Sequence, residues 1–270
     1  MIRDPKVLRL RIVTLLLLAL RAASARADSA VRLTLGAAYW RAVPSGTTTI
    51  TRGGQAGSGG RIDMADDLDL GPANVAEVSI DGELGGHRFG ASYEPLGFDG
   101  ETTTSRTLRF HGATIPAQTR LRSDVGLRLV IPRYDYAFLD GPAAELRAGL
   151  LAYIWTFDAQ LRGATPAGSV DESRRFTHVL PAVTLSGGLL LAGWELAARS
   201  AFGVVAADRY AVDLAPELRR RLWDRWSLAV GYRWLEFVFH ETTNRGDLTF
   251  QGPYVSASLE VMAPPASASP

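Results

Sequence analysis

Two groups of residues have the types and spacing for chemistry. Asp63, Asp66, Asp67 and Asp69 fall within the run RIDMADDLDL. Clustered carboxylates could hold a hard cation such as Ca²⁺. Their spacing lacks the D-x-D-x-D-G pattern of an EF-hand loop, which favours a solvated acidic loop. The second group is the four histidines, His87, His111, His178 and His240. His240 is followed by Glu241 and, with a loop aspartate, could form an acid–base site. No convincing nucleophile stands with it. The chain has no cysteine, which excludes disulfides, zinc–thiolate sites and thiol nucleophiles. It has no P-loop, no H-E-x-x-H and no G-x-G-x-x-G between a strand and a helix. No catalytic, cofactor or metal-ligand set is assigned on these grounds.

Most other charges obey a simpler rule: they alternate with apolar residues. Period two is the mark of a strand, whose successive side chains take opposite faces. Val78, Ile80 and Leu84 alternate with Glu77, Ser79, Asp81 and Glu83. Trp226, Leu228, Val230, Tyr232 and Trp234 alternate with Ser227, Gly231 and Arg233. Similar stretches begin near Val31, Phe89, Leu121, Leu146, Val179, Trp194, Tyr210 and Val255, which makes ten candidate strands. Most are near the ~9–11 residues that cross a bilayer at a tilt. A soluble sandwich also alternates, but its dry core would not tolerate a charge on almost every strand.

The charged face is the expected lumen of a barrel. Its basic members are Arg32, Arg88, Arg120, Arg122, Arg128, Arg147, Arg199, Arg219, Arg221 and Arg233. Its acidic members are Glu77, Asp81, Glu83, Glu94, Asp124, Glu145, Glu195, Asp213, Glu217 and Glu260. The two sets balance. A ring of about ten strands is narrow, and arginine grips carboxylates with two parallel hydrogen bonds. The expectation is a lumen plugged by Arg–carboxylate networks, with a narrow small-solute channel as the alternative. On β-strand parity the apolar run Leu121 to Ile131 faces lipid, and the pattern slips by one residue at Pro132, where a bulge is expected.

Composition fits this picture. Hydrophobic residues make up 47% of the chain, yet mean hydropathy is only +0.03. A bundle of membrane helices would score far higher; alternation gives this combination. Residues 1–27 read as a secretory signal peptide: Arg3, Lys6, Arg9 and Arg11, then the apolar stretch Ile12 to Leu20, then Ala25-Arg26-Ala27 as a cleavage site. Without them the chain has 23 basic and 27 acidic residues, a net −4 in place of +1. The near-neutral balance suggests no nucleic-acid partner.

Tight turns are expected at Gly85-Gly86, Asp140-Gly141-Pro142, Ala192-Gly193 and Asp224-Arg225. Longer links are expected at 44–73, 100–118, 163–175 and 241–246, with a short one near 206–208. Alternating short and long links, the Tyr134/Tyr136/Phe138 girdle and the Gly231-Tyr232-Arg233 strand pattern resemble the small outer-membrane β-barrel proteins of Gram-negative bacteria. The resemblance covers nearly all of residues 31–262 and is architectural, with no specific subfamily matched. It implies an all-β, transmembrane, antiparallel up-and-down barrel of about ten strands, eight or twelve remaining open. It places short turns on the periplasmic side. It implies outer-membrane lipids, lipopolysaccharide and the assembly machinery as partners, and leaves oligomeric state open. Barrel precedents include rim-located proteases and lipid A-modifying enzymes, so a rim hydrolase stands as an alternative to a loop-presenting scaffold. Members commonly end on a terminal aromatic; here the last strand ends near Leu259 and Val261, followed by a tail, 263–270, expected to be disordered.

Overall fold

A computed structural model describes residues 31–262, apart from 56, 166, 167, 207, 224 and 242. The expected signal peptide and C-terminal tail lie outside the described residues. The strands are β1 (Arg32–Ile50), β2 (Ile62–Asp63), β3 (Ala73–Leu84), β4 (His87–Thr103), β5 (Leu108–Phe110), β6 (Ala113–Ile115), β7 (Arg120–Asp140), β8 (Ala144–Thr165), β9 (Gly168–Leu191), β10 (Trp194–Ala206), β11 (Arg209–Trp223), β12 (Trp226–His240) and β13 (Asn244–Met262). Ten of them form one antiparallel ring in the order β1, β3, β4, β7, β8, β9, β10, β11, β12, β13. β13 pairs back onto β1 from Ile50↔Asn244 down to Leu33↔Met262, which closes the barrel. Closure removes the sheet edges that an open β-sheet would expose there. The expected ten-strand, up-and-down topology is what forms.

Chain direction gives the barrel two unlike ends. One end carries the tight turns at 85–86, 141–143 and 192–193, and the short link from β11 to β12. The first of these needs φ of 59° at Gly85, a left-handed value that costs glycine little. The other end carries two inserts. Residues 51–72 hold β2, and residues 104–119 hold the β5–β6 hairpin.

Several links expected to be loops are strand instead. β8 and β9 run on to Thr165 and Gly168, which leaves only two residues where 163–175 was expected as a loop. β1 continues to Ile50, and β13 begins at Asn244. β7, β8 and β9 have 21, 22 and 24 residues. At ~3.3 Å per residue and a barrel tilt of ~40°, such strands rise ~55 Å, about twice the ~25 Å apolar band of a membrane barrel. The barrel therefore extends well beyond a bilayer on its insert end.

The outer surface records that boundary. Toward the turn end it is apolar: Val78, Phe89, Leu150, Val183, Leu196, Leu228 and Val255 are all exposed. Toward the insert end the outer face turns polar, with Thr156, Asp158, Gln160 and Arg162 on β8. Inside, the order is reversed. Tyr153, Trp155, Phe157, Ala159 and Leu161 of the same strand are buried. Lipid outside calls for an apolar outer face in the lower half, which leaves the inner face to the charged residues of the alternation. Water outside calls for an apolar core in the upper half.

β7 shows the switch most directly. Its pairing with β4 is unbroken from His87↔Tyr136 to Thr103↔Arg120. Pairs Val130↔Ile154 and Arg133↔Leu151 keep one register with β8 on either side of Pro132. There is no slip at Pro132 and no bulge there. What changes is the medium outside, so the same parity carries Tyr134 and Tyr136 in lipid and Arg122 and Arg128 in water.

Candidate functional site

Arg233 on β12 lies at the centre of the lumen, 3% exposed. Alternation on β12 sends it inward between the outward Tyr232 and Trp234. It donates from Nε to Asp213 Oδ1 at 3.0 Å and from Nη2 to Asp213 Oδ2 at 2.8 Å. Its Nη1 donates to Glu94 Oε2 at 2.7 Å and lies 3.7 Å from Glu77. Glu94 stands on β4, four strands from β12 round the ten-stranded ring, so this hydrogen bond crosses the lumen. Tyr153 Oη donates to Asp213 Oδ2 at 3.0 Å from β8. The Trp40 ring covers the guanidinium at 4.9 Å. Buried charges are tolerable only when paired and hydrogen-bonded in this way.

Below this layer, Arg133 holds both oxygens of Asp81 at 2.6 Å, and Thr184 Oγ1 donates to Asp135 Oδ1 at 2.5 Å. Near the turn end Glu83 accepts from Arg147 at 2.8 Å and Arg88 at 3.3 Å. Arg147 also pairs with Glu145, and Arg32 spans Glu83 and Glu260. A second group joins Arg219 to Glu195 and Glu217, with Tyr254 Oη donating to Glu217 at 2.8 Å. Arg221 reaches Glu260 at 3.5 Å.

Above the Arg233 layer the lumen is filled by apolar side chains. Trp155 of β8 stacks on Phe237 of β12 at 5.5 Å and meets Phe239 at 5.1 Å. Phe98 of β4 stacks on Phe250 of β13 at 5.4 Å. The inserts complete this core. Ile62, Met64 and Leu68 from the first, and Leu108, Phe110 and Ile115 from the second, are all buried within it. The inserts also bind each other, through Gly60 N–H to Arg109 O and Gly112 N–H to Ser58 O.

The structure brings together Arg32, Glu77, Asp81, Arg88, Glu145, Arg147, Glu195, Asp213, Glu217, Arg219, Arg221 and Arg233 inside the barrel. Arg199 is inward on β10, in reach of the charges of Asp213, Glu77 and Glu94. Arg120, Arg122, Asp124 and Arg128 do not join them. They face outward on the upper part of β7, opposite the buried Leu121, Val125 and Leu127. Arg120 pairs with Glu101, and Asp124 with Arg162 at 3.5 Å, on the outer surface. Arg133 and Asp135 are the lumen charges that the expected slip hid. Unbroken parity through Pro132 is the signal that finds them. Eight arginines (Arg32, Arg88, Arg133, Arg147, Arg199, Arg219, Arg221, Arg233) then face ten carboxylates (Glu77, Asp81, Glu83, Glu94, Asp135, Glu145, Glu195, Asp213, Glu217, Glu260), a formal −2 rather than an even balance.

The acidic loop is committed to structure. Asp63 Oδ1 accepts from the N–H groups of Ala65 and Asp66, and Asp67 accepts from Asp63 N–H and from Arg106 at 2.5 and 3.0 Å. Among the described residues no group of three or more His, Asp or Glu side chains is placed to hold a metal. His240 and Glu241 do not form a pair. His240 Nε2 bonds Asp247 at 2.9 Å, while Glu241 meets His178 at 3.3 Å and Arg209 at 3.7 Å. His111 reaches Glu172 at 3.4 Å, and His87 bonds Tyr134 on the outer girdle at 2.9 Å.

No protein-family model and no curated protein matches the chain. Solved structures do. The outer-membrane protease OmpT from Escherichia coli aligns over 85% of this chain and 96% of its own, at 9% identity and a TM-score of 0.55. The fold is that of an outer-membrane β-barrel. The translocator domain of the autotransporter NalP from Neisseria meningitidis covers 92% of this chain and 95% of its own, at 10% identity and a TM-score of 0.40. The neisserial surface protein NspA covers 85% and 96%, at 10% identity and a TM-score of 0.29. At these identities the likeness concerns the barrel alone and assigns no activity.

Proposed function

We propose that this protein is a sealed barrel of the outer membrane, a scaffold that holds a rigid rim above the lipid surface rather than a conduit. The observation that carries this reading is the 2.7 Å hydrogen bond from Arg233 to Glu94 across the lumen. Neighbours of that bond on both sides are filled, by charge pairs below and aromatic rings above. A solute path would have to break both layers. On this reading residues 1–27 export the chain, the turn end faces the periplasm and the inserts face outward. The apolar belt meets outer-membrane lipids and lipopolysaccharide, and the assembly machinery inserts it. The test is planar-bilayer current with the purified full chain. Baseline current supports the scaffold; a stable large conductance overturns it in favour of a channel.

A second reading, a rim hydrolase, has one observation in its favour. His178 and Glu241 meet at 3.3 Å on the inner side of the rim, beside Arg209. A histidine held by a carboxylate is a usable general base. OmpT, whose fold is similar, is a protease. Incubation with peptides and with lipid A tests this, and any activity that survives His178→Ala removes the pair from the mechanism.

A further inference from the structure

β9 is far longer than the strand beside it. It has 24 residues against 13 in β10, and their ladder stops at Val183↔Phe202. Above that point β8 still pairs with β9 as far as Thr165↔Gly168. The β8–β9 hairpin therefore stands above the β10–β11 turn with one side of β9 uncovered. Among the described residues no backbone hydrogen bond reaches that side between Ser169 and Val179.

The phase of the ladder tells which groups are left open. Ser200 Oγ donates to Leu185 O, so Leu185 turns toward β10. Leu190 N–H donates to Ala143 O, so the even-numbered Leu190 turns the other way. A Cβ on Gly203 would meet Pro181 O, so Pro181 also turns toward the β10 side. Period two then gives Ser169, Asp171, Ser173, Arg175, Thr177 and Val179 a free N–H and C=O each. The open edge is ~35 Å long. Proteins usually blunt or cover such an edge, because it is a template for another strand.

Side chains on the inner row select what fits. Phe176 and His178 belong to the aromatic group around Trp155 and Phe239. Arg174 sits between Glu172 and Phe176 and, among the described residues, makes no ion pair and has a buried Nε with no partner. Glu172 is already engaged with Arg52 and His111. The edge thus offers backbone groups, an apolar surface and one uncompensated cation in a row.

We propose that the upper edge of β9 binds an extended acidic segment of another polypeptide, which adds to the sheet as a strand antiparallel to β9. Its backbone takes the free N–H and C=O groups, one inward carboxylate pairs with Arg174, and an apolar neighbour two residues away packs by Phe176. This is strand addition at an exposed sheet edge, with affinity from the main chain and selectivity from alternate side chains. Two other occupants fit less well. Residues 263–270 follow Met262 at the opposite end of the barrel. A second copy in the same membrane would bring two β9 strands together in parallel.

The test uses the full chain folded in detergent micelles and a labelled nine-residue peptide. The peptide alternates threonine with leucine and phenylalanine around a central glutamate. Saturable binding is expected by fluorescence anisotropy. N-methylation of alternate peptide residues on the edge-facing side is expected to weaken it by at least tenfold. Thr177→Pro in the barrel is expected to do the same while leaving the fold intact, because the N–H it removes is the unpaired one. Ser173→Pro serves if that variant does not fold. Arg174→Gln is expected to cost about tenfold for the glutamate peptide and nothing for its glutamine counterpart, in line with a charge-assisted hydrogen bond. Absence of saturable binding, or binding indifferent to N-methylation and to the proline variant, overturns the proposal. Neither outcome depends on whether the lumen conducts.

Discussion

Arg233 and Asp213 meet in a two-pronged hydrogen bond, 3.0 and 2.8 Å long, inside the barrel. They sit on adjacent strands, β12 and β11, and the third prong of the guanidinium crosses to Glu94. A buried pair of this kind adds little net stability over apolar packing, but loss of one partner strands the other charge, at a cost of ~3–5 kcal/mol. Arg233→Met is therefore expected to lower the unfolding free energy by about that amount in urea titrations of the bilayer-inserted barrel. Adding Asp213→Asn and Glu94→Gln is expected to restore at least half of it. A triple variant no better than the single one would place the cost in lost packing instead.

Parity on upper β7 makes a second prediction. Leu121 is fully buried and its neighbour Arg122 is exposed, the reverse of a charged lumen. The chain has no cysteine, so a single one can be placed cleanly. With Arg122→Cys, intact cells are expected to react with an impermeant maleimide. With Leu121→Cys they are expected not to. Labelling only at position 121 would return the arginines to the lumen.

How much of this was legible in the sequence follows from the same strand. Where lipid lies outside, alternation names the inner face correctly, as at Glu77, Asp81 and Arg233. Where water lies outside, both faces keep their period but exchange character. Period two alone carries no sign, and nothing in the run Leu121 to Ile131 says which medium it meets. The aromatic core around Trp155 was hidden for that reason, and so were Arg133 and Asp135. The acidic run 63–69 was legible as a loop, but its bond to Arg106 joins residues 39 apart in sequence, which spacing does not reveal.

That bond carries the third prediction. Asp67 is buried, and its carboxylate takes two hydrogen bonds from Arg106 at 2.5 and 3.0 Å. It ties the first insert to the segment leading into β5. Arg106→Ala leaves the buried carboxylate without its cation. The insert 51–72 is expected to become markedly more sensitive to protease, with the barrel intact by its heat-modifiable mobility in gels. Neither Ca²⁺ nor a chelator is expected to change that sensitivity in the parent chain, since Asp63 Oδ1 and both oxygens of Asp67 are already engaged by backbone N–H groups and arginine. Protection by Ca²⁺ would reinstate the loop as a cation site.

Closure of the lumen at two levels can be separated by mutation. The upper level rests on aromatic contact, with Trp155 2% exposed and stacked on Phe237 from the far wall. Removing so large a buried ring costs ~3–5 kcal/mol. Trp155→Ala is expected to show that loss and yet pass no current, because the Arg233–Glu94 layer below still spans the barrel. Arg233→Ala with Glu94→Ala is expected to pass none either, because the aromatic layer above it remains. Of these variants only the one with all three changes opens both levels, and any current above the parent's baseline in planar bilayers is expected there alone. Current through either partial variant would mean that one level alone seals the barrel and that the other is packing without a barrier role.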